Sequence, residues 1–266
     1  MTDDRVLFFD LDGTLLRGDK TISPYTMQVL QKCREQGLLL GLSTARGERN
    51  ILPFIKAVQP DIVISSSGAL LRLRGETVYT AAFSPAETNR LIAAARRVAG
   101  PDCEITVDTP DKYYWNYKTD PLLWDKTWGE TIYTDYVNFS ETGLKICADF
   151  ADSALADEIS AAVPDCTWVR FSGSNWHAFF KTSAGKDKAI RALSAHLGIP
   201  PAAMLAFGDD FSDIEMLQVC GTGVAMGNAI PQVKEAADVV IGTNEEDGVA
   251  KFLAERYGFA ETFDQA

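Results

Sequence analysis

Short apolar runs alternate with amphipathic segments over about residues 5–80 of the chain. The runs Val6–Phe9, Leu38–Leu42 and Ile62–Ile64 each have the length and composition of a buried strand. Between the first two runs, Ser23 and Pro24 suit the N-cap and the first position of a helix, and the glycine at position 37 suits its end. A second helix is predicted from about residue 47 to residue 59. Strands that alternate with helices in this way indicate right-handed parallel crossovers.

The pattern changes near residue 81 and stays different to about residue 180. Ser84 and Glu87 have the spacing of a capping box, and apolar residues follow them at helical intervals from Leu91 to Val98. The elements predicted after this helix are strands at Glu104–Val107, Lys145–Phe150, Thr167–Phe171 and Trp176–Lys181, and a helix at about Ser153–Val163. This middle part therefore predicts an α+β layer of its own.

The alternation of strands and helices returns after Lys181. The predicted elements are a helix at Lys186–Leu197 and strands at Met204–Phe207, Gly223–Ala225 and Val239–Ile241. The predicted fold class is α/β, a Rossmann-like parallel-sheet core interrupted by an inserted α+β domain. We place the core at residues 1–82 and 181–266 and the inserted domain at residues 83–180.

Polar residues follow three of the predicted parallel strands. Asp10 and Asp12 come after the first strand, Thr44 after the second, and Asp209 and Asp213 after the strand near residue 207. Because the carboxyl ends of parallel strands meet at one edge of a sheet, these side chains are expected to converge. Taken alone, the first pair fits an ordinary turn and the last pair fits a helix cap. The convergence is what indicates a site.

Carboxylates gathered at one place repel one another, by roughly 4 kcal/mol for two charges about 4 Å apart at an effective dielectric constant of about 20. We therefore expect Asp10, Asp12, Asp209 and Asp213 to hold a cation. Oxygen ligands together with water favour Mg²⁺.

This combination of groups is typical of phosphoryl transfer through an aspartyl-phosphate, in which one carboxylate attacks phosphorus and another moves a proton. The phosphate oxygens also need donors, and Thr44, Ser212, loop amides and a lysine can supply them. Lys186 is the best lysine candidate because it opens a predicted helix after a short Ser-Ala-Gly loop. Taken alone, it also fits a solvated lysine on a helix surface.

Four motifs resemble, in this order, those of the haloacid dehalogenase superfamily, and most closely those of its Cof-type phosphatases. They are Asp10–Thr14, Ser43–Arg46, Lys186 and Gly208–Asp213, and further resemblance lies at Gly223–Ala229 and Asn244–Ala250. The resemblance covers residues 5–82 and 181–256. By position and length, it implies that residues 83–180 form the large α/β cap that this family inserts between its second and third motifs.

The resemblance also implies a role for each matching residue. Asp10 is the expected nucleophile, and Asp12 is expected to protonate the leaving oxygen and then activate water. The groups that the resemblance implies as binding the phosphoryl oxygens are Thr44 and Lys186, and Leu11 and Ser212 are the further candidates for this role. The groups expected to hold Mg²⁺ are Asp10, Asp209, the backbone carbonyl of Asp12, and Asp213 acting through water.

The chain departs from the family pattern at four positions. Ala45 stands where the family often has glycine, and Ser67, Asp210 and Ser212 stand where it often has asparagine. None of the departures removes a required carboxylate or the lysine. They leave open which side chains complete the phosphate and substrate pocket.

Arg46 and His177 are further candidates for substrate binding. Arg46 starts a predicted helix at the edge of the sheet, where a surface role is the alternative, and His177 lies on a predicted cap strand, where packing is the alternative. An aromatic-rich segment from Tyr113 to Trp128 forms either the interior of the cap, an interface, or a wall over the active site. The second histidine, His196, is expected at a helix end in a surface or dipole role.

The composition of the chain limits the kinds of partner that are expected. The net charge is −12 and the isoelectric point is about 4.7, which argues against a nucleic-acid partner. Five scattered cysteines indicate reduced thiols, and no apolar run has the length of a membrane span or a signal region. We expect a cytoplasmic protein without a membrane partner, and both a monomer and a homodimer remain open.

The expected function is that of a Mg²⁺-dependent phosphatase acting on a small phosphorylated metabolite, a sugar phosphate above all. The sugar rests on analogy with the family alone. One alternative is a phosphomutase, which returns the phosphoryl group to its substrate. A second alternative is a regulatory protein that binds a phosphorylated ligand on the same fold without catalysis.

Overall fold

The structure is a computed structural model that describes residues 3–117, 129–171 and 173–259. The strands are β1 (Val6–Phe9), β2 (Leu39–Ser43), β3 (Ile62–Ser65), β4 (Leu70–Leu73), β5 (Glu76–Thr80), β6 (Ile105–Asp108), β7 (Tyr113–Trp115), β8 (Ile132–Tyr133), β9 (Lys145–Asp149), β10 (Cys166–Arg170), β11 (Trp176–Lys181), β12 (Met204–Gly208), β13 (Thr222–Ala225) and β14 (Val239–Val240). The α-helices are α1 (Pro24–Glu35), α2 (Leu52–Val58), α3 (Pro85–Ala99), α4 (Leu155–Ser160), α5 (Lys186–Leu197), α6 (Ile214–Val219), α7 (Pro231–Ala236) and α8 (Gly248–Arg256).

The strands form two sheets. The first has eight strands in the order β14-β13-β12-β1-β2-β3-β4-β5, and its strands from β14 to β3 run parallel. All four residues of β1 are fully buried, because helices cover both faces of the sheet at its centre. The α/β fold class with a parallel-sheet core is thereby confirmed.

The second sheet has six strands in the order β10-β11-β9-β6-β7-β8 and is antiparallel except for the pair β7–β8. It covers its own hydrophobic cluster, which is separate from the cluster of the parallel sheet. Its strands come from residues 105–181, which supports the predicted inserted unit at 83–180. The exact division of the chain into domains stays a prediction.

Local signals explain most of the helix boundaries. The Ser23 hydroxyl accepts the Thr26 N–H, so it caps α1, and Ser84 and Glu87 form the predicted capping box of α3. The helix predicted from residue 47 divides into a 3₁₀ turn at Glu48–Ile51 followed by α2. Three predicted strands were displaced by one residue along the chain, at β2, β6 and β10.

One prediction for residues 5–80 was wrong in part, since Leu70–Thr80 form an antiparallel hairpin instead of continuing the strand–helix alternation. Arg74 and Gly75 make its two-residue turn with φ of 50° and 86°. Turns of this kind usually carry asparagine or aspartate before the glycine, so the sequence signal for the hairpin was weak. The short strands β7 and β8 were also not predicted.

No helix in the described ranges is both long and apolar enough to cross a membrane. The five cysteines are all free thiols, as predicted.

Candidate active site

The parallel sheet brings the predicted motifs to one edge. β1 lies between β12 and β2, with Phe9 paired to Phe207 on one side and to Leu42 on the other. The carboxyl ends of these three adjacent strands therefore lie side by side. Asp10, Thr44 and Asp209 directly follow them. A cavity of about 680 Å³ opens over this edge. The residues that line its floor are Asp10, Asp12, Lys20, Thr44, Ala45, Arg46, Gly47, Asn50, Asp210, Ser212 and Asp213.

Lys186 joins two of the carboxylates. Its ammonium donates to Asp10 Oδ1 at 2.7 Å and to Asp213 Oδ1 at 2.5 Å, and its side chain is only 2% exposed. Burial acts to lower the pKa of Lys186, but the charges of Asp10 and Asp213 outweigh it and raise this pKa. The ammonium therefore keeps its charge at the site. The solvated-surface alternative for Lys186 is excluded by this burial.

Asp10, Asp209 and Asp213 each place a carboxylate oxygen within 4.8 Å of the others. Burial raises the pKa of Asp10 well above its ordinary value, against the opposing charge of Lys186 and with support from Asp213 and Asp209. Burial likewise raises the pKa of Asp209 to about 7. The single ammonium of Lys186 cannot balance three ionised carboxylates, and their mutual repulsion adds to the effect of burial in raising the pKa values of Asp10 and Asp209. A donor set made of oxygen atoms alone fits a hard cation such as Mg²⁺.

The loop after β1 holds Asp209 through two contacts. Thr14 donates its hydroxyl to Asp209 Oδ1 at 2.7 Å. Gly13 has φ of +82°, and a Cβ at this position would lie 2.3 Å from Asp209 Oδ2. Glycine is therefore needed here both for the backbone conformation and for the approach of the carboxylate.

Asp12 does not belong to this group of three carboxylates and pairs with two cations instead. Arg46 Nε lies 2.6 Å from its Oδ2, and Lys20 Nζ lies 2.8 Å from its Oδ1. Burial acts to raise the pKa of Asp12, but the hydrogen bonds and charges of Arg46 and Lys20 outweigh it and lower this pKa. The Asp12 side chain is thus a carboxylate in this arrangement, and only its backbone remains a candidate ligand for the cation.

The other predicted phosphate-binding residues lie around the same floor. Thr44 is buried, and its hydroxyl accepts the Arg46 N–H at 3.2 Å, which fixes the loop after β2. Ser212 lies in the 3₁₀ turn Phe211–Asp213 and lines the cavity. The Leu11 side chain is buried in the core and its carbonyl accepts the N–H of Leu16, so a phosphate contact at Leu11 would use its N–H.

The expectation that His177 contacts substrate requires correction. Its side chain is fully buried, it stacks on Phe150 with ring centroids 4.0 Å apart, and it is not among the residues that line the cavity. Its ring nitrogens lie 2.9 Å from Ser153 Oγ and 2.8 Å from the carbonyl oxygen of Asn175. His177 therefore packs inside the cap, whereas its neighbour Trp176 lines the cavity.

Arg46 is placed as a site residue, since it lines the cavity and its side chain is only 3% exposed. In the aromatic-rich segment that begins at Tyr113, the described residues occupy two of the expected positions, the wall of the cavity and the interior of the cap. Tyr113 and Trp115 line the cavity, whereas Tyr114 packs in the interior of the cap. Lys118, Trp124 and Trp128 lie outside the described residues.

Three charged residues of the site were missed from the sequence: Lys20, Asp108 and Lys145. Asp108 and Lys145 lie on β6 and β9, where polar and apolar residues alternate, so a search for a polar face on the cap strands would have found them. Lys20 lies in a loop and has φ of 63°, and no pattern in the sequence indicates it.

Comparisons with known proteins agree with this geometry. A family model described as haloacid dehalogenase-like hydrolase matches residues 7–253. The chain is 30% identical to 5-amino-6-(5-phospho-D-ribitylamino)uracil phosphatase YitU of Bacillus subtilis (strain 168), over 95% of this chain and 97% of that protein. It is 28% identical to pyridoxal phosphate phosphatase YbhA of Escherichia coli (strain K12), over 94% of this chain and 97% of that protein.

Among solved structures, a sugar phosphatase of subclass IIB of the same superfamily superposes with a TM-score of 0.80, at 24% identity, over 96% of this chain and 99% of that one. This likeness shows the fold. The family match covers most of the chain, and the two similar phosphatases are matched over almost their whole length. The chain therefore belongs to the haloacid dehalogenase-like hydrolases as a Cof-type phosphatase with a cap, and it is a phosphoric monoester hydrolase.

Proposed function

We propose that this phosphatase is Mg²⁺-dependent and hydrolyses a small phosphorylated metabolite through an aspartyl-phosphate intermediate. The observation that carries the proposal is the Asp10 carboxylate at the cavity floor, held 2.7 Å from the buried ammonium of Lys186. A carboxylate fixed beside a cation is suited to attack an anionic phosphoryl group, because the cation offsets the repulsion between the two anions.

In the first step, an Asp10 oxygen forms a bond to phosphorus while the bond between phosphorus and the leaving oxygen breaks. The leaving oxygen takes a proton from Asp12. In the second step, Asp12 takes a proton from water, the water oxygen attacks phosphorus, and the Asp10 carboxylate and inorganic phosphate are released. Because Arg46 and Lys20 hold Asp12 as a carboxylate, its acid role requires those contacts to loosen and Asp12 to take up a proton from solvent before the first step.

Asp10 and Asp209 would hold the cation with the Asp12 carbonyl, and Asp213 would support it. When bound, Mg²⁺ offsets the negative charge of the carboxylates and of the phosphate ester. Asp213 also accepts the backbone N–H groups of Asp209 and Asp210 at 3.0 and 3.1 Å, so it shapes the loop that presents Asp209. Thr44, Ser212 and Lys186 would donate to the phosphoryl oxygens.

The test measures inorganic phosphate released from acetyl phosphate with and without Mg²⁺. We expect release only with the cation, and acid quenching should trap a phosphorylated protein. Asp10→Asn should lower the rate by at least about a thousandfold and abolish the trapped species, because an amide is not a useful nucleophile. The exposed loop variant Asp19→Asn is the matched control and should retain activity. Near-normal turnover in Asp10→Asn would overturn the assignment.

The same assay, run with glucose 6-phosphate, addresses the two alternatives, because acetyl phosphate has no second hydroxyl to which a mutase could return the phosphoryl group. A phosphomutase would yield an isomerised phosphate ester in place of inorganic phosphate. A regulatory binding protein would release none from any phosphate ester, which the combination of Asp10, Asp12, Lys186 and Asp209 at one edge argues against. A sugar phosphate remains the substrate class expected from family analogy. The similar proteins are named for a ribitylaminouracil phosphate and for pyridoxal phosphate, and the similar structure for a sugar.

A further inference from the structure

Two loops of the core contact the loops of the site without lining the cavity. They are residues 226–230, which follow β13, and residues 242–247, which follow β14. A hydrogen bond between main chains joins them, from the N–H of Gly227 to the carbonyl oxygen of Gly242 at 3.0 Å. A second bond runs from the N–H of Asn244 to Asn228 Oδ1 at 3.1 Å. One end of the Asn228 side-chain amide is thereby bound to the second loop.

The other end of this amide is bound to the loop after β1. Asn228 Nδ2 donates to the carbonyl oxygen of Gly13 at 2.7 Å. An amide oxygen accepts and an amide nitrogen donates, so the two contacts fix which way the Asn228 amide faces. The residue is exposed, yet both polar ends of its side chain bind backbone atoms of other loops. Asn228 therefore links three loops of the core at one point.

The carbonyl that Asn228 binds belongs to the part of the loop that holds Asp209. The peptide bond makes the Gly13 carbonyl and the Thr14 nitrogen parts of one rigid plane. Gly13 packs against the Asp209 carboxylate, and the Thr14 hydroxyl donates to this carboxylate at 2.7 Å. A hydrogen bond that fixes the plane of this peptide therefore also fixes both contacts on the Asp209 side chain.

The loop that carries Asn228 also binds the main chain around Asp209. Ile230 donates its N–H to the carbonyl oxygen of Asp209, and Met226 donates its N–H to that of Gly208, each at 3.1 Å. The loop thus contacts the backbone of Asp209 directly, and it reaches the carboxylate through the bond to the loop after β1. Both the backbone and the side chain of Asp209 are held relative to this one loop.

We infer that Asn228 is a positioning residue for the cation site, which holds the Asp209 carboxylate beside Asp10 through the Gly13–Thr14 peptide. Asn228 is not among the residues that line the cavity, so it acts through others and contacts no substrate. The inference rests on the proposed function, because the cation is part of that proposal. Loss of this bond should weaken cation binding about threefold to tenfold, which is the order of the net contribution of one hydrogen bond.

The test is a calorimetric titration of the substrate-free protein with Mg²⁺. Asn228→Ala should raise the Mg²⁺ dissociation constant about threefold to tenfold, because the Gly13–Thr14 peptide loses its support. The Mg²⁺ concentration for half-maximal phosphate release from acetyl phosphate should rise by the same factor, while kcat at saturating Mg²⁺ stays within about twofold of wild type. The side chain is exposed, so its truncation leaves no internal cavity. A dissociation constant equal to that of the wild type would overturn the inference.

Asn244→Ala is the matched control. The Asn244 side chain donates to the carbonyl oxygen of Leu16 at 2.8 Å, in the same loop but away from the Gly13–Thr14 peptide. The variant keeps the main-chain N–H that binds Asn228, so it removes a similar bond without releasing Asp209. Its Mg²⁺ dissociation constant should stay within about twofold of wild type. Equal weakening in the two variants would refute a specific role for Asn228.

A double-mutant cycle tests the route by which Asn228 acts. Thr14→Val removes the hydroxyl that donates to Asp209. If Asn228 acts through the Gly13–Thr14 peptide, adding Asn228→Ala to Thr14→Val should raise the Mg²⁺ dissociation constant by less than about twofold beyond Thr14→Val alone. Effects that multiply as independent factors would contradict this route.

Hydrogen exchange of the metal-free protein separates this inference from the proposed function. In Asn228→Ala, the amides of Thr14 and Leu15 should exchange about threefold to tenfold faster than in wild type, since the carbonyl before Thr14 has lost its partner. If the wild type binds no Mg²⁺, the cation dependence in the proposed function is refuted, and the exchange rates still decide the inference. Unchanged exchange at both amides would refute it.

Discussion

At the scale of single residues, the site depends on how one buried ammonium is shared. Lys186 lies between Asp10 and Asp213, and all three side chains are withdrawn from solvent. The ammonium keeps Asp10 oriented and also offsets part of the charge of the carboxylate group. The same contact therefore supports both the fold and the chemistry.

We predict that Lys186→Met lowers the turnover rate by about a hundredfold or more, which is the order of loss when a donor to a developing oxyanion is removed. The variant should also lose about 3–5 kcal/mol of stability, since it leaves two buried carboxylates without their partner. Phosphate release and urea unfolding check these effects. Lys56→Met, at an exposed position of α2, is the control, and it should change stability by less than about 0.5 kcal/mol. A rate within tenfold of wild type would mean that another group binds the phosphoryl oxygens.

The raised pKa of Asp209 predicts how stability depends on pH. Its ordinary value is 3.8 and burial raises it to about 7, so between these values the folded protein binds a proton that the unfolded chain has lost. Stability of the metal-free protein should therefore fall as pH rises from about 4 to about 7. Asp10, whose pKa is also raised, acts in the same direction, whereas His177, whose pKa is lowered by burial, acts in the opposite one.

Urea unfolding in the presence of a chelator, at about pH 5 and about pH 7.5, measures this slope. Asp209→Asn should make it shallower, because the amide does not titrate. Mg²⁺ should oppose it by stabilising the deprotonated site. The prediction fails if the slope is the same in the variant and in the wild type.

At the scale of elements, the position of Lys186 depends on how the start of α5 packs against the turn after β3. Gly68 lies in that turn with φ of +87°, and a Cβ there would lie 2.2 Å from the backbone of Gly185 and 2.6 Å from the Lys186 nitrogen. The absence of a side chain at position 68 therefore permits the close approach that delivers the lysine.

We predict that Gly68→Ala lowers kcat by about tenfold or more, because α5 must move and a shift of about 1 Å is enough to misplace a catalytic group. Gly75→Ala is a matched control: φ is +86° and no atom lies within 4 Å of the added Cβ, so it carries the same conformational cost without the contact. Kinetics and thermal unfolding of the two variants separate the effects. Equal losses of kcat would show that the contact with α5 is not what matters.

At the scale of the whole molecule, two hydrophobic clusters support the two sheets. A third, small cluster lies where the chain passes between them and contains Ala69, Leu70, Ala81, Leu144 and Ala184. The two sheets are thus connected through this cluster and through the contacts of Asp108 and Lys145 with the loop after β2, at Gly47 and Ala45.

If residues 83–180 form a unit, damage to its interior should remain local. Ile105 is fully buried in the cap cluster, so Ile105→Ala should cost about 2–5 kcal/mol. Hydrogen exchange should accelerate across the cap strands and remain slow in β1, β2 and β12. Leu7→Ala, in the core cluster, should not show this confinement to the cap. Equal acceleration in both sheets after Ile105→Ala would contradict the division.

Much of the fold could be predicted because its signals are local. Val6–Phe9 and Met204–Phe207 are apolar runs that end in acidic residues, and a parallel sheet necessarily brings such ends together. The helix caps at Ser23 and Ser84 are likewise contained in a few residues. The hairpin turn at Arg74 escaped prediction since its residue type does not indicate its conformation, which the pairing of β4 with β5 determines.

The sequence by itself determined which residues lie at the edge of the sheet and what chemistry they can perform, because strand ends and charged groups are read locally. Only the tertiary structure decided that Asp12 pairs with Arg46 and Lys20, that His177 packs inside the cap, and that Asp108 and Lys145 contact the loop after β2. These outcomes depend on distances between residues far apart in the chain. Such distances follow from how two sheets and their loops pack, which no local pattern of the sequence encodes.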